Sequence, residues 1–192
     1  MKTQVAIIGG GPSGLLLSQL LNKAGVATVV LERSSRAHVE GRIRAGVLET
    51  GTVQMLHEAG VGDRLDREGI SHVGCYLTDD DLMVRINFKE LTGKQVVVYG
   101  QTEVTADLYN AQDAIGATVL HDVSDVVIND ADSDAPYVEF TKDSVRQRLD
   151  CGYVAGCDGF HGVSRTTIPE EKRRAFERVY PFGWLGVLSR TP

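Results

Sequence analysis

Basic side chains are in the minority: 20 Lys and Arg stand against 26 Asp and Glu, a net charge of −6. Such a chain has no general attraction for nucleic acid or for an anionic membrane surface, so any anion it binds needs a local basic site. Cysteine is scarce. Cys75, Cys151 and Cys157 are an odd number without CxxC spacing, which argues against a disulfide framework or a zinc site. Three reduced, mostly buried thiols in a cytoplasmic protein are the expectation. No apolar run approaches the roughly 20 residues that span a bilayer, and the short apolar N-terminal stretch runs straight into glycines, as a strand does and a signal peptide does not. Acidic turns such as "DADSDAP" lack the glycine and closing glutamate of a calcium loop and read as solvated loops. No metal site is expected, and no repeat, linker or low-complexity segment stands out.

What remains is ordinary globular composition, 42% hydrophobic and 24% charged, enough for a core in one domain or a tight pair. "TQVAIIGG" reads as a buried strand ending in glycine. "PSGLLLSQLLNKAG" reads as a helix with proline in its first turn and glycine after its last. "VATVVLER" reads as a second strand, parallel to the first through a right-handed crossover. Beyond it, "VLETGTVQMLHEAG" has roughly helical spacing from Val47 and stops at Gly60. "SHVGCYLT" and "LMVRINF" read as a hairpin, and "KQVVVYG" as a strand. "TEVTADLYNAQDAIG" reads as a helix with Thr102 as its N-cap. Short strands follow in "ATVLHDVSDVVIND", "PYVEFTK" and "VRQRLDCGYVAGCDG". The tail "ERVYPFGWLGVLSRTP" also reads as strand.

Between the first strand and helix lies Gly9-x-Gly11-x-x-Gly14. Gly9 permits a tight turn, Gly11 lets backbone approach a pyrophosphate, and Gly14 lets helix pack on strand. The helix N-terminus offers unpaired N–H groups to phosphate. Glu32 ends the second strand, 18 positions after Gly14, where a carboxylate accepts both ribose hydroxyls. A turn that merely needs glycine leaves Glu32 unexplained. The expectation is an adenine dinucleotide, FAD or NAD, in a Rossmann-like βαβ unit. Arg33 follows on the other side of the strand. "GRIRAG" then places Arg42 and Arg44 one residue apart among Gly41, Ala45 and Gly46. An isolated arginine pair is most often a solvated loop; downstream of a dinucleotide turn, the pair can complete the pyrophosphate's charge, and the small residues let backbone lie against a flat ligand.

Together, "MKTQVAIIGGGPSGLLLSQLLNKAG", "GRIRAGVLE", "VYGQTEVT", "CDGFHGVSR" and "FERVYPFGWLG" resemble the single-component flavoprotein aromatic hydroxylases, and among them those acting on 4-hydroxybenzoate. The resemblance runs from residue 1 to 192 with near-constant spacing. It implies an α/β fold: an FAD-binding βαβ part and basic loop over 1–72, a β-rich part of the substrate domain over 73–98, a return to the FAD-binding domain over 99–175, and the start of a mixed-sheet substrate domain over 176–192. It implies FAD adenosine on Gly9 to Gly14, Ser13 included, and on Glu32. Arg42 falls on the pyrophosphate side, Arg44 and the adjoining Ala45 and Gly46 near the mobile flavin ring, Val47 near flavin and substrate, and Gln101 near the ribityl and phosphate region. Asp158 and Gly159 match the family's DG motif, with His161 and Arg165 helping to bind NADPH or NADH. Arg33 favours NADPH, while Ser34 and His38 depart from the best-known NADPH-preferring pattern.

His72, by itself a surface or strand-edge histidine, matches the end of the family's proton chain from substrate phenol to solvent, a role its pKa range suits. Trp184, by itself a core aromatic, would border the active site. The implied reaction is hydroxylation of 4-hydroxybenzoate to 3,4-dihydroxybenzoate with NAD(P)H and O₂, in a site that excludes water and helps deprotonate the phenol. The resemblance also implies a small aromatic substrate as partner, no nucleic acid or membrane partner, and a homodimeric full-length parent. The family's second flavin motif and the residues holding the substrate carboxylate have no counterpart in these 192 residues. The expectation is an N-terminal portion, catalytically inactive alone. Two readings stay open beside this one: a hydroxylase of another phenol, and a non-catalytic FAD-binding fragment.

Overall fold

The computed structural model describes residues 1–187. In chain order the elements are β1 (Val5–Ile8), α1 (Pro12–Lys23), β2 (Thr28–Leu31), α2 (Arg36–Glu40), β3 (Val47–Glu49), α3 (Thr50–Ala59), α4 (Asp63–Glu68), β4 (Ile70–His72), β5 (Gly74–Asp79), β6 (Leu82–Asn87), α5 (Phe88–Thr92), β7 (Val96–Val98), α6 (Gln101–Ala114), β8 (Thr118–Leu120), β9 (Ser124–Asn129), β10 (Tyr137–Lys142), β11 (Val145–Asp150), β12 (Tyr153–Gly156) and α7 (Val163–Thr167), followed by a 3₁₀ turn at Glu170–Lys172.

The centre is a parallel sheet in the order β12-β1-β2-β8. Side chains alternate across it, as the period of two requires. Val5, Ile7 and Val30 face one side with Leu17 and Leu21 of α1 packed on them. Ala6, Ile8, Val29 and Leu31 face the other and pack on Val138, Phe140 and Leu149 of the antiparallel sheet β11-β10-β9. Both faces of β1 and β2 are therefore covered, which is why these strands read as unbroken apolar runs. On the helical side, Leu15, Leu56, Leu65, Val104 and Leu108 bring α1, α3, α4 and α6 together. A buried polar network crosses that layer. The Ser18 hydroxyl donates to Gln112 Oε1 at 2.8 Å, and Gln112 Nε2 donates to Gln19 Oε1 at 2.9 Å. It fixes α6 on α1, and α6 carries residues at both ends of the candidate site.

β3, β7 and β4 form a second, antiparallel sheet, and β5 and β6 a hairpin. Four sequence expectations are corrected here. Val47–Glu49 is strand paired with Val96–Val98, not the start of a helix, and α3 begins at Thr50; β-branched Val47 finds a strand partner in Val98. "SHVGCYLT" is two strands, because the chain passes from β4, paired with β7, to β5, paired with β6. The N-cap of α6 is Gly100, not Thr102. The tail is not strand through residue 187: residues 173–187 have no regular structure and Trp184 is 94% exposed. An apolar run becomes a strand only against a partner edge, and among the described residues none pairs with it. The rest of that expected strand, 188–192, lies outside the described residues. The short helices α2, α4, α5 and α7 were not expected, since five or six residues are too few to display a helical period. No described helix is long and apolar enough to cross a membrane, and the described residues hold no cluster of three metal-ligating side chains.

Candidate functional site

The C-terminal ends of β1, β2 and β12 converge, and two backbone bonds lock the convergence. The Gly9 amide donates to the Leu31 carbonyl at 2.8 Å, and the Cys157 amide donates to the Ile8 carbonyl at 2.7 Å. In open parallel sheets ligands bind outside these strand ends. The three glycines of the motif stand in three different surroundings. Gly9 has φ +107°, and a Cβ there would strike the Cys157 carbonyl. Gly14 abuts the Gly9 carbonyl, with no room for a Cβ. Gly11 has the extended conformation φ −77°, ψ −178° that any residue adopts, and nothing lies within 4 Å of where its Cβ would stand. Nothing within the described chain requires glycine there.

Gly11 is the N-cap of α1 and has no side chain to cap it, and Pro12 follows. The amides of Gly11, Ser13 and Gly14 meet no acceptor among the described residues. A twelve-residue helix thus presents its positive end and free N–H groups at an open face, the arrangement that holds a diphosphate. Beside it, Glu32 is buried at the end of β2. Its carboxylate accepts from the Gly10 amide at 2.7 Å and the Ser34 amide at 2.8 Å. Each oxygen keeps a second lone pair, which suits a ribose diol. Arg33 and His38 are exposed on the chain that leaves β2.

Arg42 and Arg44 are exposed, and neither side chain has an ion-pair or hydrogen-bond partner among the described residues. Two uncompensated guanidinium groups in a chain of net charge −6 form a local basic site. The loop that carries them is pinned at its end, where the Tyr99 amide donates to the Gly46 carbonyl at 2.8 Å. Gly46 lies so close to Gly100 that a Cβ would stand 3.2 Å from its Cα. Exposed Val47 pairs with Val98, and Gly46 lies beside Gly100, the residue before Gln101 at the start of α6.

Past β12, the Asp158 carboxylate accepts from the Ser164 amide at 2.9 Å and its hydroxyl at 3.1 Å, satisfying an orphan donor at the start of α7. Gly159 turns the chain with φ +74°. The Arg165 guanidinium lies over the Phe160 ring at 4.0 Å, and His161 meets the same ring edge-on at 5.0 Å. Asp158, Gly159 and Arg165 line a cleft of about 780 Å³ with Ile128 and Lys172. His72 is exposed on β4, opposite Val96, without a hydrogen-bond partner among the described residues. Among the described residues Trp184 meets one ring partner, Phe182, edge-on at 6.1 Å. The structure thus gathers the glycine turn, Glu32 and the start of the DG segment at one set of strand ends. The basic loop meets the start of α6 through Gly46 and Gly100, while His72 stands on β4 and Trp184 on the irregular stretch after residue 172.

One contributor escaped the sequence. Tyr109 of α6 is fully buried, and its hydroxyl donates to the Gly10 carbonyl at 3.2 Å. An aromatic in an amphipathic helix reads as core, and no local signal says that its hydroxyl reaches a turn 99 residues away. Cys157, adjoining the same turn, is partly buried. Burial, and then the neighbouring charge of Asp158, push its thiol above the ordinary range; burial does the same for Cys151. Exposed Cys75 should therefore take up a maleimide first, with the other two at least about tenfold slower. Mass spectrometry of a labelling time course checks this, and equal labelling of all three would contradict it.

A parallel sheet whose strand ends carry an uncapped helix N-terminus, a glycine turn and a buried acid with spare lone pairs has the form of a dinucleotide-binding domain. Residues 2–192 match the family model for the FAD binding domain, and the chain belongs to that family. Over its whole length it is 48% identical to p-hydroxybenzoate hydroxylase of Acinetobacter baylyi, and it spans 48% of that relative's length. Among solved structures, p-nitrophenol 4-monooxygenase from Pseudomonas putida DLL-E4 superposes with a TM-score of 0.74 at 22% identity, covering 87% of this chain and 44% of that one. The anhydrotetracycline hydroxylase from Streptomyces rimosus gives 0.67 at 26% identity, covering 83% and 32%. FAD fits the site on this structure's own terms: free amides for its diphosphate, spare lone pairs for its ribose, and open space over Gly11.

Proposed function

We propose that this chain is the FAD-binding part of a flavin-dependent aromatic monooxygenase that converts 4-hydroxybenzoate to 3,4-dihydroxybenzoate with NAD(P)H and O₂. The observation that carries the reading is the uncapped N-terminus of α1 beside the buried Glu32 carboxylate. The choice of substrate leans on the 48% identity to p-hydroxybenzoate hydroxylase.

In this reading the amides of Gly11, Ser13 and Gly14 hold the diphosphate, Glu32 accepts the ribose hydroxyls, and Arg42 supplies the countercharge that the helix dipole leaves incomplete. Arg44, Ala45, Gly46, Val47 and Gln101 flank the ring and ribityl end. Asp158, Gly159, His161 and Arg165 receive the reduced nicotinamide cofactor, with Arg33 favouring a 2′-phosphate. When bound, the flavin supplies the redox chemistry and the activation of O₂. His72 moves the phenol proton to solvent and Trp184 borders the substrate. The chain spans 48% of the length of p-hydroxybenzoate hydroxylase, and in this reading the 192-residue chain alone is inactive while the whole protein, a homodimer, carries the activity.

The test is NAD(P)H consumption by the whole protein with a panel of phenols. The expected result is stimulation by 4-hydroxybenzoate with 3,4-dihydroxybenzoate as product. Hydroxylation of a different phenol in preference would replace the substrate assignment and leave the FAD site standing. Substrate-stimulated oxidation by the 192-residue chain would overturn its proposed inactivity.

A further inference from the structure

The peptide between Gly10 and Gly11 is held by a group that no part of the proposed reaction uses. Its carbonyl accepts from the Tyr109 hydroxyl at 3.2 Å. One bond earlier in the chain, the Gly10 amide donates to Glu32 Oε2 at 2.7 Å. The peptide is trans, like every described peptide bond, so its C=O and N–H point in opposite directions. Drawing the carbonyl in toward α6 therefore turns the Gly11 N–H out. That N–H has no acceptor among the described residues, and the space where a Gly11 Cβ would stand is free.

We propose that Tyr109 is a positioning residue: its hydroxyl orients the Gly10–Gly11 peptide and thereby aims the Gly11 amide at the cofactor's diphosphate. The proposal rests on the FAD reading above. Tyr109 is itself clamped. Its ring packs under the Arg36 guanidinium at 4.6 Å, and Arg36 pairs with Glu40 at 2.8 Å and with Asp113 of α6 at 2.7 Å, so α2 and the C-terminal part of α6 hold the phenol in place. His121 flanks the ring with centroids 5.5 Å apart. Burial, and behind it the charge of Glu32, push the phenol well above its ordinary range, so the hydroxyl keeps its proton and stays a donor. An apolar ring of the same shape would fill the core equally well. The hydroxyl's distinct work is at the turn.

The test is Tyr109→Phe, which keeps the ring and removes the donor. FAD titration of the variant should give an affinity about fivefold weaker than wild type, the scale of one net hydrogen bond. In ¹⁵N–¹H spectra without ligand, the Gly11 amide resonance should shift or broaden as the peptide samples both orientations. A purely structural role would lower stability and leave that resonance and the affinity in place. Wild-type affinity within twofold together with an unmoved Gly11 amide would overturn the proposal. If wild type itself binds no FAD, the cofactor reading fails, and the Gly11 resonance alone then decides the role of Tyr109. Wild type also gives a reading that does not depend on the variant folding. Its Gly11 amide should exchange with solvent unprotected, and an amide found protected in the absence of ligand would overturn the proposal.

Discussion

Gly11→Val should yield a folded chain that does not bind FAD. The backbone there is extended, as residues before proline prefer, and a branched side chain adopts that conformation readily. Nothing within 4 Å obstructs it. The cost to the fold is the weaker N-cap, about 1 kcal/mol, or a fall in Tm of roughly 2–4 °C for a chain of this size. The cost to binding is far larger. The isopropyl group stands over the free amides of α1, where the diphosphate would approach, and at least about a hundredfold loss of affinity, close to 2.7 kcal/mol, is expected. Thermal melts and FAD titration of the same preparation check both halves. An affinity within threefold of wild type would mean that the diphosphate does not pass over Gly11.

Gly9→Ala should do the opposite and damage the fold before any ligand is added. At φ +107° an L-residue carries roughly 1–3 kcal/mol of backbone strain. Its methyl group would also overlap the Cys157 carbonyl, and that carbonyl belongs to the segment whose amide joins β12 to β1. Relieving the overlap means moving β12 away from β1, an overpacking cost of about 1–3 kcal/mol more. The sum, about 2–6 kcal/mol, is a large part of a small domain's stability of about 5–15 kcal/mol. Urea unfolding should show a loss of roughly 3–5 kcal/mol, or no cooperative transition. A stability within 1 kcal/mol of wild type would show that the β1–β12 junction is more pliant than its geometry implies. The contrast between the two variants matters more than either alone: two glycines of one motif, two positions apart, one needed by the fold and one by the ligand.

The sequence could show Glu32 because two local facts place it, a strand that ends in charge and a fixed distance from the glycine turn. The parallel pairing of β1 and β2 was legible for the same reason, since a strand, a helix and a strand in close succession have one favoured handedness. Tyr109 was not legible, because a hydrogen bond between residues 99 positions apart has no local signature. The N-cap of α6 went to Thr102 on side-chain preference, whereas the helix begins after Gly100, whose Cα packs close to Gly46. Tertiary approach of the basic loop fixed that boundary, and residue preference did not. Val47 shows the same rule: its helical spacing yields to pairing with Val98. The DG segment was readable as a motif, but the bond from the Ser164 amide of α7 to Asp158 was not, since a five-residue helix offers no period to anticipate.

The central claim is that residues on this chain form a dinucleotide cradle at the ends of β1, β2 and β12. The most direct measurement is titration of the 192-residue chain with FAD, followed by quenching of flavin fluorescence, with circular dichroism confirming that the chain is folded. Saturable binding of one FAD per chain is the predicted result, abolished in Gly11→Val. A folded chain that leaves flavin fluorescence unchanged at every concentration would contradict it.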